Sequence, residues 1–327
     1  MNILVTGGAG FIGSHFIRLL LKQSDTDAVV NLDALTYAGN LKNLQSVENH
    51  PRYTFVHGDV CDPECVSRVF GEYQIDQVVH FAAESHVDRS IARPERFMTT
   101  NVLGTENLLN VARHYWETTP EHYHPENRFV QISTDEVYGD AVGQLEPFDE
   151  TSVLHPSSPY AASKASADLM VGAYQRTYQF PALITRSSNN YGPNQYPEKW
   201  IPVVIKHALY NESIPLYGSG LQERDWIHVT DHCRGVLTVL KQGKLGEIYN
   251  IAGHTTITNR ALAQEILQYL GQPESLLTHV SDRLGHDQRY AISDTKLRQI
   301  GWKQQIEFID GLHETIDWYQ SHPDWLK

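Results

Sequence analysis

Tyr160 and Lys164 stand four residues apart in the stretch "YAASK", at the start of a run with helical spacing, so their side chains share one helix face. An ammonium beside a phenol favours the phenolate, drawing a group with an ordinary pKa of about 10 towards neutrality and making it a usable base. Earlier in the chain, Thr134, Asp135 and Glu136 follow one another in "STDEVYGD", just after the apolar run "RFVQI". Carboxylates at the end of a buried strand are costly unless something pairs or uses them. Neighbouring side chains on a strand point to opposite faces, so the chain must bend after Thr134 for both acids to reach one ligand. A hydroxyl, two adjacent carboxyls and a phenol beside an ammonium suit acid–base catalysis on a small molecule.

These residues need a scaffold that gathers distant strand ends, and the chain alternates strand-like and helical runs from "NILVT" to "ALITR". Such alternation predicts a Rossmann-like doubly wound α/β fold, a parallel sheet with helices on both faces. The motif "GGAGFIG" follows the first strand and opens the first helix, with Gly7, Gly10 and Gly13 spaced by three around Phe11 and Ile12. Such glycines let the backbone approach a pyrophosphate at a helix N-terminus. Asp33 closes the next strand, where a carboxylate would hold a ribose hydroxyl and prefer NAD over NADP. Asp59 and Val60 end the following strand and would face the adenine, while small Ala82 and Ala83 end another and permit close approach. In an open α/β sheet these ends border one crevice. NAD is therefore the expected cofactor, and its nicotinamide cation would push Tyr160 further towards phenolate.

After Arg186 the pattern turns irregular, and "EIYNIAG" reads as a strand returning to the first sheet. Residues 1–186 with about 226–252 are expected to form the NAD-binding domain, and 187–225 with 253–327 a smaller, interleaved C-terminal α/β substrate domain. Ile309, Leu312, Ile316 and Tyr319 fall on one helical face and read as core. Residues 116–127, "WETTPEHYHPEN", read as a loose surface loop.

With 26 Lys and Arg against 39 Asp and Glu, the net charge of -13 argues against a nucleic-acid or anionic-membrane surface. An anionic ligand must be met by a local cluster of positive groups. A chain of 327 residues, 41% hydrophobic and 20% charged, is ordinary for a soluble protein with a sizeable core. No apolar run is long enough to span a bilayer, and the opening "MNILVTGG" lacks the parts of a signal peptide. Cys61, Cys65 and Cys233 cannot all pair and read as reduced thiols, so a cytoplasmic location is expected. His114, His122 and His124 lack the paired spacing of zinc ligands, and no metal is expected.

The set Gly7, Gly10, Gly13, Thr134, Tyr160 and Lys164 resembles that of the extended short-chain dehydrogenase/reductases, which modify nucleotide sugars. Within them, "AAESHVDRS", "STDEVYG", "RSSNNYGPNQYPEKWIP", "RDWIHVTDH" and "GHDQRY" look like the dTDP-glucose 4,6-dehydratase family, in register from Met1 to about Trp318. The resemblance implies an NAD-dependent lyase acting on dTDP-glucose. Tyr160 would take the proton of the 4-hydroxyl while hydride leaves C4 for NAD, with Thr134 bonded to the same oxygen. Glu136 would remove the C5 proton, Asp135 would protonate the departing 6-hydroxyl, and hydride would return to C6. The resemblance also implies that Arg224 and Arg289 hold the diphosphate, with Asn189 and Lys199 nearby, and that Tyr217 stacks the base. Glu84, Ser85 and Asn190 would sit near the sugar.

A homodimer packed through helices around 94–115 and 157–177 is implied too. Asn194, Trp200 and Gln288 depart from the family near the nucleotide pocket, leaving a UDP-linked sugar open as substrate. A nucleotide-sugar 4-epimerase and a catalytically silent NAD-binding regulator are the alternatives. Related epimerases usually carry small, non-acidic residues where Asp135 and Glu136 stand, and a regulator has no need of Thr134, Tyr160 and Lys164.

Overall fold

The structure, a computed structural model, describes residues 1–326. Its strands in chain order are β1 (Asn2–Thr6), β2 (Ala28–Asp33), β3 (Tyr53–His57), β4 (Gln77–His80), β5 (Glu117–Thr119), β6 (His122–Tyr123), β7 (Arg128–Thr134), β8 (Ala182–Ser187), β9 (Asn189–Tyr191), β10 (Ile214–Tyr217), β11 (Glu223–His228), β12 (Ile248–Ile251), β13 (Thr256–Thr258) and β14 (Leu277–Val280). Seven of them make one parallel sheet in the order β12-β8-β7-β4-β1-β2-β3.

The first strand shows why this sequence makes a two-faced sheet. Ile3 and Val5 pack into one helical layer and Leu4 into the other, and all three are buried. The first layer comprises helices Phe11–Leu20 and Val229–Gln242, which supply Phe16, Ile17, Val236 and Val239. Helices Pro63–Tyr73, Gly104–Trp116 and Pro159–Tyr178 form the second, through Phe70, Leu108, Leu109 and Val171. The fold class read from the alternation is the one observed. Strands lead outwards from β1 through β2 to β3 on one side and from β4 through β7 to β8 on the other. A crevice therefore opens beyond their C-terminal ends between β1 and β4, where ligands bind in such sheets.

The remaining strands lie outside this sheet: β11 is flanked by β9 and β13, and β10 pairs with β14. Around them, helices Trp200–Leu209, Asn259–Tyr269 and Phe308–Ser321 close a separate core through Ile205, Leu262, Ile266, Leu312 and Ile316. Between β11 and β13 the chain re-enters the main sheet, with helix Val229–Gln242 in the first layer and β12 pairing with β8.

Two local expectations are corrected. Residues 116–127 are not loose, because β5 and β6 pair as a small antiparallel hairpin. Its ends are pinned by Trp116, buried and stacked on Phe180, and by Tyr123, edge-on to the same ring. Ile309 is not core: it is 42% exposed in the first turn of its helix, while Leu312, Ile316 and Tyr319 are buried.

Candidate active site

Thr134 ends β7 and caps a short 3-10 turn, Asp135–Tyr138. Its hydroxyl accepts a hydrogen bond from the Glu136 N–H (3.3 Å) and donates to Asp135 Oδ1 (3.3 Å). This turn is the bend the adjacent carboxylates required, and it brings both to the wall of one cavity of about 320 Å³, together with Tyr160 and Lys164. Asp135 Oδ2 is buried and has no partner among the described residues.

The two acids differ in what surrounds them. Burial pushes the Asp135 carboxyl well above the usual carboxylate range, and the charges of Glu136 and Asp225 push it the same way. Burial also raises Glu136, but Arg283, Lys199 and Arg224 pull it back down. The arrangement favours a protonated Asp135 beside an ionised Glu136.

Helix Pro159–Tyr178 starts where it does because the Ser158 hydroxyl accepts from the Ala161 N–H (3.1 Å) and Pro159 pre-sets the first turn. That start brings Tyr160 to the same cavity wall as Thr134. The expected lowering of the phenol by Lys164 is not what the structure shows. Burial and the facing Glu136 and Asp135 drive Tyr160 well above its ordinary value, while Lys164 Nζ, itself buried, donates to the Ile132 carbonyl (2.6 Å). Burial lowers Lys164 to about 8, against the opposing charge of Asp168.

The cavity is also walled by Gly7, Gly10, Phe11, Ile12, Gly13, Asp33, Asp59, Val60, Ala82 and Ala83, so all the sequence-predicted cofactor residues converge. Their fit to a dinucleotide rests on bare backbone. Gly7 has φ +70°, and a Cβ there would meet Ala82 N at 2.6 Å; a Cβ on Gly13 would collide with the Gly7 carbonyl oxygen. Helix Phe11–Leu20 has no side-chain cap at its start, leaving N–H donors for a pyrophosphate. The Asp33 carboxylate, at the end of β2, accepts from the N–H groups of Ala9 and Leu35 (2.8 Å each) and keeps lone pairs for a ribose hydroxyl.

At the other end, Glu84, Ser85, Asn189, Asn190 and Lys199 line the same cavity. Lys199 Nζ donates to the Ser85 carbonyl (2.8 Å), and Asn189 Oδ1 is buried without a partner among the described residues. Arg224 is buried, donates to the carbonyls of Glu223 (2.7 Å) and Asp287 (2.8 Å), and lies over the Tyr290 ring at 4.2 Å. Arg224, Arg289 and Tyr217 are not among the lining residues. Arg289 instead pairs with Glu223 at 3.4 Å, and Tyr217 meets His286 edge-on.

Sequence reasoning passed over several residues that the fold brings in. Tyr37, Tyr196, Glu198 and His232 line the cavity. Arg89 lies over Tyr37 (3.9 Å) and pairs with Glu198 (3.0 Å), so it does not pair with its neighbour Asp88, which faces Arg283 at 4.0 Å. Arg283 is the first of the charges that hold Glu136 down, and its Nε is buried and unpartnered among the described residues. Its signal was an arginine six residues before Arg289 in the same loop.

Residues 4–315 match the family model described as GDP-mannose 4,6 dehydratase. The chain is 47% identical to the dTDP-glucose 4,6-dehydratase of Shigella flexneri and 48% identical to that of Neisseria meningitidis serogroup B, each match covering all of this chain and 95% of the relative. Among solved structures it is similar to the dTDP-glucose 4,6-dehydratase of Streptomyces venezuelae with NAD bound. That match has a TM-score of 0.94 and 47% identity, and covers 100% of this chain and 99% of the other.

Proposed function

The chain belongs to the GDP-mannose 4,6 dehydratase family, and on that premise we propose that it converts dTDP-glucose to dTDP-4-keto-6-deoxyglucose and water, as an NAD-dependent lyase. The observation that carries this reading is the pair Asp135 and Glu136, turned side by side into the cavity that also holds Thr134, Tyr160 and Lys164. Dehydration across C5 and C6 needs an acid and a base close together; epimerisation at C4 needs neither.

Bound NAD would be held by residues lining the cavity. Gly7, Gly10 and Gly13 would leave room for its pyrophosphate at the helix start carrying Phe11 and Ile12, and Asp33 would accept from its adenosine ribose. Asp59 and Val60 would face the adenine, and small Ala82 and Ala83 would permit close approach. When bound, NAD supplies a two-electron acceptor at C4 and later a donor at C6, and its ring charge offsets the carboxylates facing Tyr160. Tyr160 takes the O4 proton, with Thr134 bonded to the same oxygen; the Lys164 ammonium on the same helix would stabilise the phenolate only once that ring charge has offset the facing acids. The C4 ketone acidifies the C5 hydrogen, which ionised Glu136 removes. Asp135 gives its proton to O6, the C6–O bond breaks, and water leaves. A proton is then restored at C5. The sugar has lost one water, with its C4 hydrogen moved to C6 and its 4-hydroxyl now a ketone.

Glu84, Ser85, Asn189 and Asn190, which line the cavity, would meet sugar hydroxyls, and Lys199, Arg224 and Arg283, whose charges act on Glu136, would supply the positive charge that a diphosphate needs on an acidic protein. Arg289 and Tyr217 belong to this reading at the nucleotide end, beyond the cavity. A homodimer is part of the proposal: Met98, Leu103 and Leu169 are exposed on the segments 94–116 and 159–178. Sedimentation at micromolar concentration tests it. The proposed cytoplasmic location rests on three free cysteines; no helix among the described residues is long and apolar enough to cross a membrane.

The test is to incubate the protein with dTDP-glucose in deuterated water, with UDP-glucose in parallel, and follow mass and NMR spectra of the sugar. Loss of water with deuterium at C5, faster for the thymidine nucleotide, is expected. A product that keeps all its oxygens and is inverted at C4 would refute the reading.

A further inference from the structure

We propose that Asp168, paired with Arg186, is a positioning residue that locks the turn carrying Asp135 and Glu136 against the helix carrying Tyr160 and Lys164 and sets a fixed negative charge behind Lys164. The proposal rests on the reading of those residues as the reacting set. Asp168 lies one turn beyond Lys164 on the same helix, and both are buried, at 3% and 4% exposure. Lys164 Nζ donates to the Ile132 carbonyl (2.6 Å), and the hydroxyl of the next residue, Ser133, donates to Asp168 Oδ2 (3.0 Å). The helix is thus fastened to two successive residues of β7, immediately before Thr134.

Arg186, from β8, carries the lock to the far end of the turn. Its Nε donates to the same Asp168 oxygen (2.9 Å) and its Nη1 to the hydroxyl of Tyr138 (2.9 Å), which in turn donates to Asn250 Oδ1 (2.8 Å). Tyr138 closes the turn that starts at Asp135. One buried pair therefore holds the strand before the turn, the last residue of the turn and the catalytic helix. Stability alone is a poor account of it, because buried ion pairs replaced by apolar residues of similar volume often leave a protein no less stable.

The charge of Asp168 also bears on Lys164. Tyr160 lies on the same helix, Asp135 and Glu136 lie across the cavity, and His80, from β4, is held between the hydroxyls of Thr6 and Thr105. Of these groups and Asp168, Asp168 is the one whose charge opposes the lowering of Lys164 by burial.

Two variants test this: Asp168→Asn, and Asp168→Asn with Arg186→Met, which does not leave the Arg186 charge buried without its partner. Lysine 13Cε NMR titration needs no substrate, and the Lys164 midpoint is expected to fall by about one pH unit or more in both. With dTDP-glucose, kcat should fall by about 100-fold, from the misplaced turn, with KM changed less than about threefold. The alkaline limb of kcat/KM should move to lower pH, because Lys164 loses its proton earlier. A folded double variant with an unmoved Lys164 midpoint overturns the charge assignment, and one with wild-type kcat overturns the lock. Failure of the wild-type chain to release water from dTDP-glucose, with the midpoint shifted as expected, would instead fault the reading of the reaction.

Discussion

Replacing Gly7 by alanine probes the floor of the crevice where β1 and β4 part. At φ +70° an L-residue costs about 1–2 kcal/mol from its own backbone. The new Cβ would also lie 2.6 Å from Ala82 N, 2.7 Å from Ala82 Cα and 2.9 Å from Phe81 C, all main-chain atoms. They have little freedom to retreat, since Phe81 N donates to the Thr6 carbonyl (3.1 Å) and Ala82 N to the Thr6 hydroxyl (3.3 Å). Crowding of this kind adds about 1–3 kcal/mol, for a total of about 2–5 kcal/mol. Gly246 supplies the control: its φ is +86°, but a Cβ there meets nothing within 4 Å, so Gly246→Ala should cost the backbone term alone, about 1–2 kcal/mol.

Urea unfolding of the three proteins at constant m, with NAD released and counted per chain, measures both effects. Gly7→Ala should lose at least about 1 kcal/mol more than Gly246→Ala, and it alone should lose NAD. Equal losses in the two variants with full NAD in both would refute the argument that the Gly7 turn is held by contact with the end of β4.

Tyr160→Phe removes the group that takes the O4 proton and should lower turnover of dTDP-glucose by at least about 100-fold; product assays showing less than tenfold would contradict its role. Glu136→Gln should abolish deuterium exchange at C5, whereas Asp135→Asn should retain that exchange and lose water release; NMR of the sugar separates the two. The pH profile of kcat/KM should fall on the acid side through a value above that of an ordinary glutamate, since burial raises Glu136 and its ionised form is needed. The alkaline fall should come near 8, as Lys164 loses its proton. Arg283→Met removes a positive charge facing Glu136, so it should raise that carboxyl and shift the acid limb to higher pH; an unmoved limb would remove Arg283 from the site.

What the sequence made legible was local and periodic. The strands of a doubly covered sheet declare themselves as apolar runs, and Gly7, Gly10, Gly13 and Asp33 stand at their ends because only that geometry needs them there. Even the bend after Thr134 follows from two neighbouring acids sharing one purpose. Hidden were features made by distant segments. Tyr160 and Lys164 do share a helix face, yet the lysine is drawn to the Ile132 carbonyl and the phenol is surrounded by acids, so spacing alone gave the wrong direction for its pKa. Arg289 and Tyr217 lie beyond the cavity, while Arg283, six residues before Arg289, acts on it and Glu198, inside "RSSNNYGPNQYPEKWIP", lines it. The hairpin at 117–123 was illegible because its order comes from Phe180, far along the chain.

The same distinction explains how two adjacent carboxyls come to hold different roles. Asp135 is buried and Glu136 half-buried, and the charge of Glu136 raises the cost of ionising Asp135, so the pair behaves as one titrating unit that gives up its first proton more easily than its second. Which oxygen keeps the remaining proton is decided by third parties. Asp225 faces Asp135 and brings its negative charge to that side, its carboxylate held in place by donation from the Ser188 hydroxyl (2.5 Å) and the N–H groups of Gly253 (2.7 Å) and Thr255 (2.8 Å). Lys199, Arg224 and Arg283 bring positive charge to Glu136 from three separate parts of the chain. Removing any one of these cations should make the two acids more alike, and an enzyme whose acid and base become alike loses both functions. The adjacency of Asp135 and Glu136 therefore shows that a pair is used, while the division of labour within it is written in residues 63 to 147 positions away.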